Sequence, residues 1–224
     1  MFKRLLSSVL VTCFAAAVAH AAARVPQVPV SGTALATFFA SQGQSINVST
    51  QQLDLQQLNV PAGTAFEVLA FPGSAGQSFG SYNTVPLSPS LYMLFPGTTT
   101  AGWHTAMTFR DTPARLVVSL FDAASVLQGS STFMGADKTA FGFYVQDASS
   151  AVSYLQDSRN AGGGARILAY NGTGARTGWT WLACETGAGP GGDFADFVAL
   201  VNLSQSAPVP VNRSNWGRIK QLFH

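Results

Sequence analysis

The stretch Ala65-Phe66-Glu67-Val68-Leu69-Ala70-Phe71, bounded by Gly63 on one side and Pro72-Gly73 on the other, decides the fold. Seven residues rich in aromatic and branched side chains, with turn formers at both ends, read as a strand. The pattern recurs in both directions. Residues 91–95 form a second such run, closed by Pro96-Gly97. Further strands are expected over 104–110, 114–121, 141–146, 153–155, 165–170, 179–184 and 197–203. Ile46 and Val48, then Leu53 and Leu55, alternate with polar neighbours, which is the period of a strand. Only residues 32–43 break the rule: Leu35, Phe38 and Phe39 stand three and four apart and Gly43 follows, the signature of a short amphipathic helix. Many short strands and one small helix imply an all-β fold, an antiparallel β-sandwich of jelly-roll type with a short N-terminal helix. A parallel sheet would need helical crossovers between its strands. A β-propeller would need internal repeats, and the sequence has none.

The N-terminus has the three-part layout of a secretory signal peptide: Lys3 and Arg4, an apolar stretch over 5–18, then small residues. Ala19-His20-Ala21 and Ala21-Ala22-Ala23 are the candidate cleavage sites. The expected organisation is a signal peptide over 1–23, a single β-sandwich domain over 24–206, and a tail over 207–224. That tail opens with Pro208 and Pro210 and continues with Trp216, Ile219, Leu222 and Phe223 at helical spacing among basic residues. It reads either as a surface helix or as a sorting signal.

Cleavage removes two of the twelve basic residues and leaves ten against ten acidic ones. Because Arg213, Arg218 and Lys220 lie in the tail, the folded body carries a net negative charge. Nucleic acid is therefore an unsuitable partner, since phosphate binding needs a basic stripe. No later segment is long and apolar enough to span a bilayer once the signal is cleaved. Cys184 is the one cysteine left after cleavage, so no intramolecular disulfide forms; within Trp179-Thr180-Trp181-Leu182-Ala183-Cys184 it reads as a small buried apolar side chain.

The chemistry concentrates between 185 and 196, where Glu185, Asp193 and Asp196 flank a glycine-rich loop that runs directly into an apolar strand. Carboxylates on a tight loop suit Ca²⁺, which takes six to eight oxygen ligands. Asp147 and Asp157 each follow a strand and are candidates to complete the shell. The alternative is that all five carboxylates are solvated turn or strand-end residues. A zinc pattern is absent, because His104, Cys184 and the terminal His224 are the remaining nitrogen and sulfur donors. His104 is also the one candidate base in the folded body, and no serine sits in a nucleophile-elbow context. A carboxylate pair such as Glu67 with Glu185 would be needed for glycoside hydrolysis. Trp103, Trp179, Trp181 and several tyrosines are candidates for a sugar-stacking platform, although Trp179 and Trp181 share one strand face and fit a core better than a platform.

Taken in order, Gly142-Phe143-Tyr144-Val145, Tyr154-Leu155-Gln156-Asp157-Ser158-Arg159-Asn160, Ala165-Arg166-Ile167-Leu168-Ala169-Tyr170, Glu185 and Asp193-Phe194-Ala195-Asp196-Phe197-Val198 resemble the secreted bacterial domain of unknown function 4114. The likeness covers roughly residues 140–203, with a weaker similarity over 31–97. It implies an acidic calcium loop with Glu185, Asp193 and Asp196 on the matching positions. Gly191 and Ala195 stand where that family has aspartate and asparagine, so fewer donors imply weaker binding. The expected function is a secreted, non-catalytic module with one structural Ca²⁺, serving a cell-surface, matrix or adhesion role. Its partner would be an extracellular polysaccharide or a surface protein. A carbohydrate-binding module and a carboxylate-pair hydrolase are the alternatives.

Overall fold

A computed structural model describes residues 21–61, 63–187 and 192–202. Most of the expected signal peptide over 1–23, Gly191 and the whole tail over 207–224 lie outside the described residues. The described chain forms one α-helix, α1 (Ala34–Ser41), three single-turn 3-10 helices and twelve strands. These are β1 (Gln52–Leu53), β2 (Ala65–Pro72), β3 (Ser78–Asn83), β4 (Leu91–Phe95), β5 (His104–Asp111) and β6 (Ala114–Phe121), followed by β7 (Leu127–Met134), β8 (Phe141–Gln146), β9 (Val152–Tyr154), β10 (Ile167–Asn171), β11 (Thr180–Cys184) and β12 (Phe197–Asn202).

The strands make two sheets. The larger runs β1-β10-β11-β12-β2-β5-β6-β7 and the smaller β4-β3-β8-β9, with every named pairing antiparallel. Side chains alternate across each strand, so one face of the larger sheet meets the smaller one. Phe66, Val68, Met107, Phe109, Leu182 and Phe197 come from the larger sheet and pack with Phe79, Leu94, Phe141, Phe143 and Val145 from the smaller. Phe79 lies flat against Phe197, with ring centroids 5.1 Å apart and planes 1° off parallel. The antiparallel β-sandwich is therefore present.

A second apolar cluster occupies the opposite face of the larger sheet. Leu35 and Phe39 of α1 are buried there against Leu168, Tyr170, Trp181, Val198 and Leu200. Phe39 meets Tyr170 at 5.3 Å and Trp181 at 5.6 Å between centroids, both near edge-on. Gly43 follows the helix with φ 68°, the left-handed conformation that glycine adopts at low cost. Because layers lie on both sides, all six residues of β12 are buried. A strand covered on both faces has no polar side, hence the unbroken apolar run Phe197-Val198-Ala199-Leu200-Val201.

Three expectations need correction. Residues 46–48 are not a strand; Ile46 and Val48 pack with the helix layer, and the chain turns over 48–50. Strands β3 and β7 were not expected, because serine and glycine dilute their apolar pattern. In β3 the glycine is required: a Cβ on Gly80 would stand 2.4 Å from the Tyr92 carbonyl and 2.5 Å from the Tyr144 ring.

Candidate functional site

The β11 and β12 strands pair with Cys184 opposite Phe197, so the acidic loop leaves and re-enters the larger sheet at adjacent strand ends. Its neck is tied down on both sides. The Glu185 N–H donates to the Arg166 carbonyl at 2.8 Å, and the Gly73 N–H donates to the Asp196 carbonyl at 2.7 Å. From the helix side, the Ser31 N–H donates to the Gly192 carbonyl at 3.1 Å.

Within this neck Glu185 is buried, with 9% of its surface exposed. Its Oε1 accepts the Gly187 N–H at 3.0 Å and its Oε2 the Phe194 N–H at 3.3 Å. Phe194 has φ 54° and a buried ring, so the side chain fills the helix-side cluster while its N–H faces the carboxylate. Asp196 Oδ2 accepts both the N–H and the hydroxyl of Thr186, each at 2.8 Å. The two carboxylates thus hold the adjacent N–H groups of Thr186 and Gly187 in the same neck. Burial raises the Glu185 carboxyl above its ordinary pKa; the Gly187 N–H offsets part of this, and the Asp196 charge adds to the rise. The ion pairs among the described residues, Arg24–Asp157 and Lys138–Asp111, involve neither group. Two neighbouring carboxylates are stable when they share a proton or when a cation sits against both.

The other candidate ligands are placed elsewhere or turned inward. Asp193 Oδ1 accepts the Ala195 N–H at 2.9 Å, a local turn bond. Asp147 Oδ1 accepts the Ser149 N–H at 2.9 Å, the Ser149 hydroxyl at 2.7 Å and the Ala151 N–H at 2.9 Å. These bonds, the hydroxyl first, hold its carboxyl below the ordinary range. Asp157 accepts from both Nη nitrogens of Arg24, at 2.6 and 3.3 Å, and from the Gln56 amide at 3.1 Å. Among the described residues no three His, Cys, Asp or Glu side chains converge as a metal-binding group. Of the five expected ligands, the structure therefore brings together Glu185 and Asp196. Thr186 was not foreseen in this network, although its place between Glu185 and the glycines could have marked it.

Glu67 is not near Glu185. It pairs with Asn202, five residues along the ladder from Phe197, about 17 Å at strand rise and outside the range that two glycosidase carboxylates span. Cys184 is fully buried, and burial pushes its thiol well above the ordinary value, with Asp196 and Glu185 adding to the effect. The thiolate is thus suppressed at neutral pH. His104 stacks on Phe121 at 5.1 Å. Trp181 is core, while Trp103 and Trp179 pack against the two clusters, so the three described tryptophans make no open platform.

One aromatic does face an open hollow. A pocket of about 460 Å³ is lined by Thr84, Leu87, Pro89, Tyr154, Gln156, Ser158 and Arg159. Arg159 lies 5.9 Å from the Tyr154 ring centre and donates to the Thr84, Pro86 and Leu87 carbonyls, which fixes the wall.

Among the described residues no helix is long and apolar enough to cross a membrane. No protein-family model, no curated protein and no solved structure matches the chain.

Proposed function

We propose that the chain is an exported, non-catalytic β-sandwich module of the bacterial cell surface or matrix, steadied by a Ca²⁺ ion at its acidic loop. The resemblance to domain of unknown function 4114 and the leader-like N-terminus support export. The chain crosses repeatedly between sheets, from β2 to β3, β4 to β5, β7 to β8 and β9 to β10, which favours the jelly-roll description.

The observation that carries the cation reading is the placement of the Asp196 and Glu185 carboxylates on the adjacent N–H groups of Thr186 and Gly187, with neither acid in an ion pair among the described residues. A cation would neutralise both and draw Asp193, three residues away, towards the same centre. The surrounding N–H donors set the carboxylate orientation, and the ion would hold a glycine-rich loop whose ordering otherwise costs backbone entropy. The test is Ca²⁺-dependent thermal unfolding, with Glu185→Gln and Asp196→Asn as controls.

The partner in this reading is an extracellular polysaccharide or surface protein. A carbohydrate-binding role is the second reading, and it rests on the Tyr154–Arg159 pocket: an aromatic face beside fixed polar groups is suited to a sugar ring. Isothermal titration of the wild type and Tyr154→Ala with acidic and neutral polysaccharides tests it.

A further inference from the structure

The sandwich has four sheet edges among the described residues, and three of them are blunted. At one end of the larger sheet, β1 is two residues long and bridged by Ala23. In the smaller sheet, β9 is three residues long, and β4 is a five-residue strand flanked by Pro89 and Pro96. The fourth edge, β7, differs. Its eight residues, Leu127-Gln128-Gly129-Ser130-Ser131-Thr132-Phe133-Met134, contain no charge and no proline, and all but Gly129 and Phe133 are exposed. Proteins normally protect a long edge with lysine, proline or brevity, because its outward N–H and C=O groups template another strand.

We infer that β7 is a self-association edge, where a second copy of this chain adds its own β7 antiparallel to make one continuous sheet. The exposed apolar residues favour a second copy as the occupant. Leu127 pairs with Phe121 across a β-bulge that lies at this end of the strand, opposite Leu120/Phe121, and Met134 pairs with Arg115, so both project from the same face of β6–β7 while the edge beyond the bulge stays regular. They are 53% and 58% exposed. A two-fold axis through the strand's middle, near Ser130, sets Leu127 of each copy beside Met134 of the other. The uncharged serines meet at the axis, where like charges would repel. A single added strand pair buries less than the roughly 1,600 Å² of a standard interface, so the dimer is weak and concentration-dependent.

Sedimentation velocity of the full exported chain at 5 and 200 µM tests this, beside Ser130→Lys/Thr132→Lys, which puts like charges across the axis. Amide hydrogen exchange of residues 127–134 in the wild type supplies a measurement independent of the variant's folding. The expected result is a dimer at the higher concentration, slowed exchange of β7 amides with concentration, and a monomeric variant with unchanged melting temperature. A wild type that stays monomeric at 200 µM overturns the inference, including the case where residues 203–224 cover the edge within one chain. A dimer that survives the double substitution, or β7 exchange independent of concentration, also overturns it.

Discussion

Gly192 lies directly over the carboxylate of Glu185: a Cβ on Gly192 would come 1.6 Å from Oε2. The loop therefore closes on the acid, and the glycine is needed for lack of space. Gly192→Ala must push the carboxylate or the loop away. A loss of about 1–3 kcal/mol is expected from such overpacking, which lowers the melting temperature by roughly 2–12 °C in a domain of this size. Glu185→Ala in the same chain should recover part of the loss. A double-mutant cycle with no coupling would separate the two residues.

The raised Glu185 pKa has a sign that can be read in solution. A carboxyl whose folded pKa exceeds its unfolded value favours the folded state while protonated. Its contribution is fully present below the ordinary carboxyl range and is lost as pH rises through the folded value. In chelator, stability should therefore fall with rising pH across that window, and Glu185→Gln should remove this component. Asp137 and Asp147 act oppositely: hydrogen bonds from the Thr139 and Ser149 hydroxyls lower their pKa values, so they favour folding as pH rises. Melting temperatures from pH 4 to 8, compared between wild type and Glu185→Gln, isolate the Glu185 part.

Helix α1 is required by the larger sheet. Phe39 is fully buried against Tyr170 and Trp181, so Phe39→Ala should cost about 3–5 kcal/mol. It also opens the neighbourhood of the Trp181 indole, whose N–H donates to Gln44 Oε1 at 3.2 Å. Guanidinium titration monitored by tryptophan emission should show a lowered midpoint and a red-shifted native spectrum.

The fold also bears on maturation. The Ala22 carbonyl accepts the Asp54 N–H at 2.7 Å, and Ala23 bridges Leu53. Cleavage after Ala21 preserves both contacts, whereas cleavage after Ala23 removes them. Under the export proposal, mass spectrometry of the mature chain should therefore find Ala22 as the first residue; a chain that starts at Arg24 would contradict this.

How much of this was legible in the sequence depended on whether a side chain reports on one environment or two. Phe66, Val68 and Ala70 alternate towards the inter-sheet core, and Leu35 with Phe39 marks a helix face, so β2 and α1 could be read locally. In β3 and β7, Gly80 and the serines serve close packing and an open edge, which periodicity does not record. Ile46 and Val48 alternate like a strand, yet they cover a sheet made by distant segments. At the site, Glu185 and Asp196 were recognisable as acids near glycines, but their approach depends on the Cys184–Phe197 register. The Asp157–Arg24 pair joins residues 133 apart, which no local pattern signals.

The most direct test of the cation reading is the melting temperature of residues 22–224 in excess Ca²⁺ and in chelator, at neutral pH. At a hundredfold excess over its dissociation constant the ion should add about 2.7 kcal/mol, roughly a 5–11 °C rise, absent in a Glu185→Gln/Asp196→Asn variant. Coincident wild-type curves up to millimolar Ca²⁺ would contradict the account and leave the two acids sharing a proton instead.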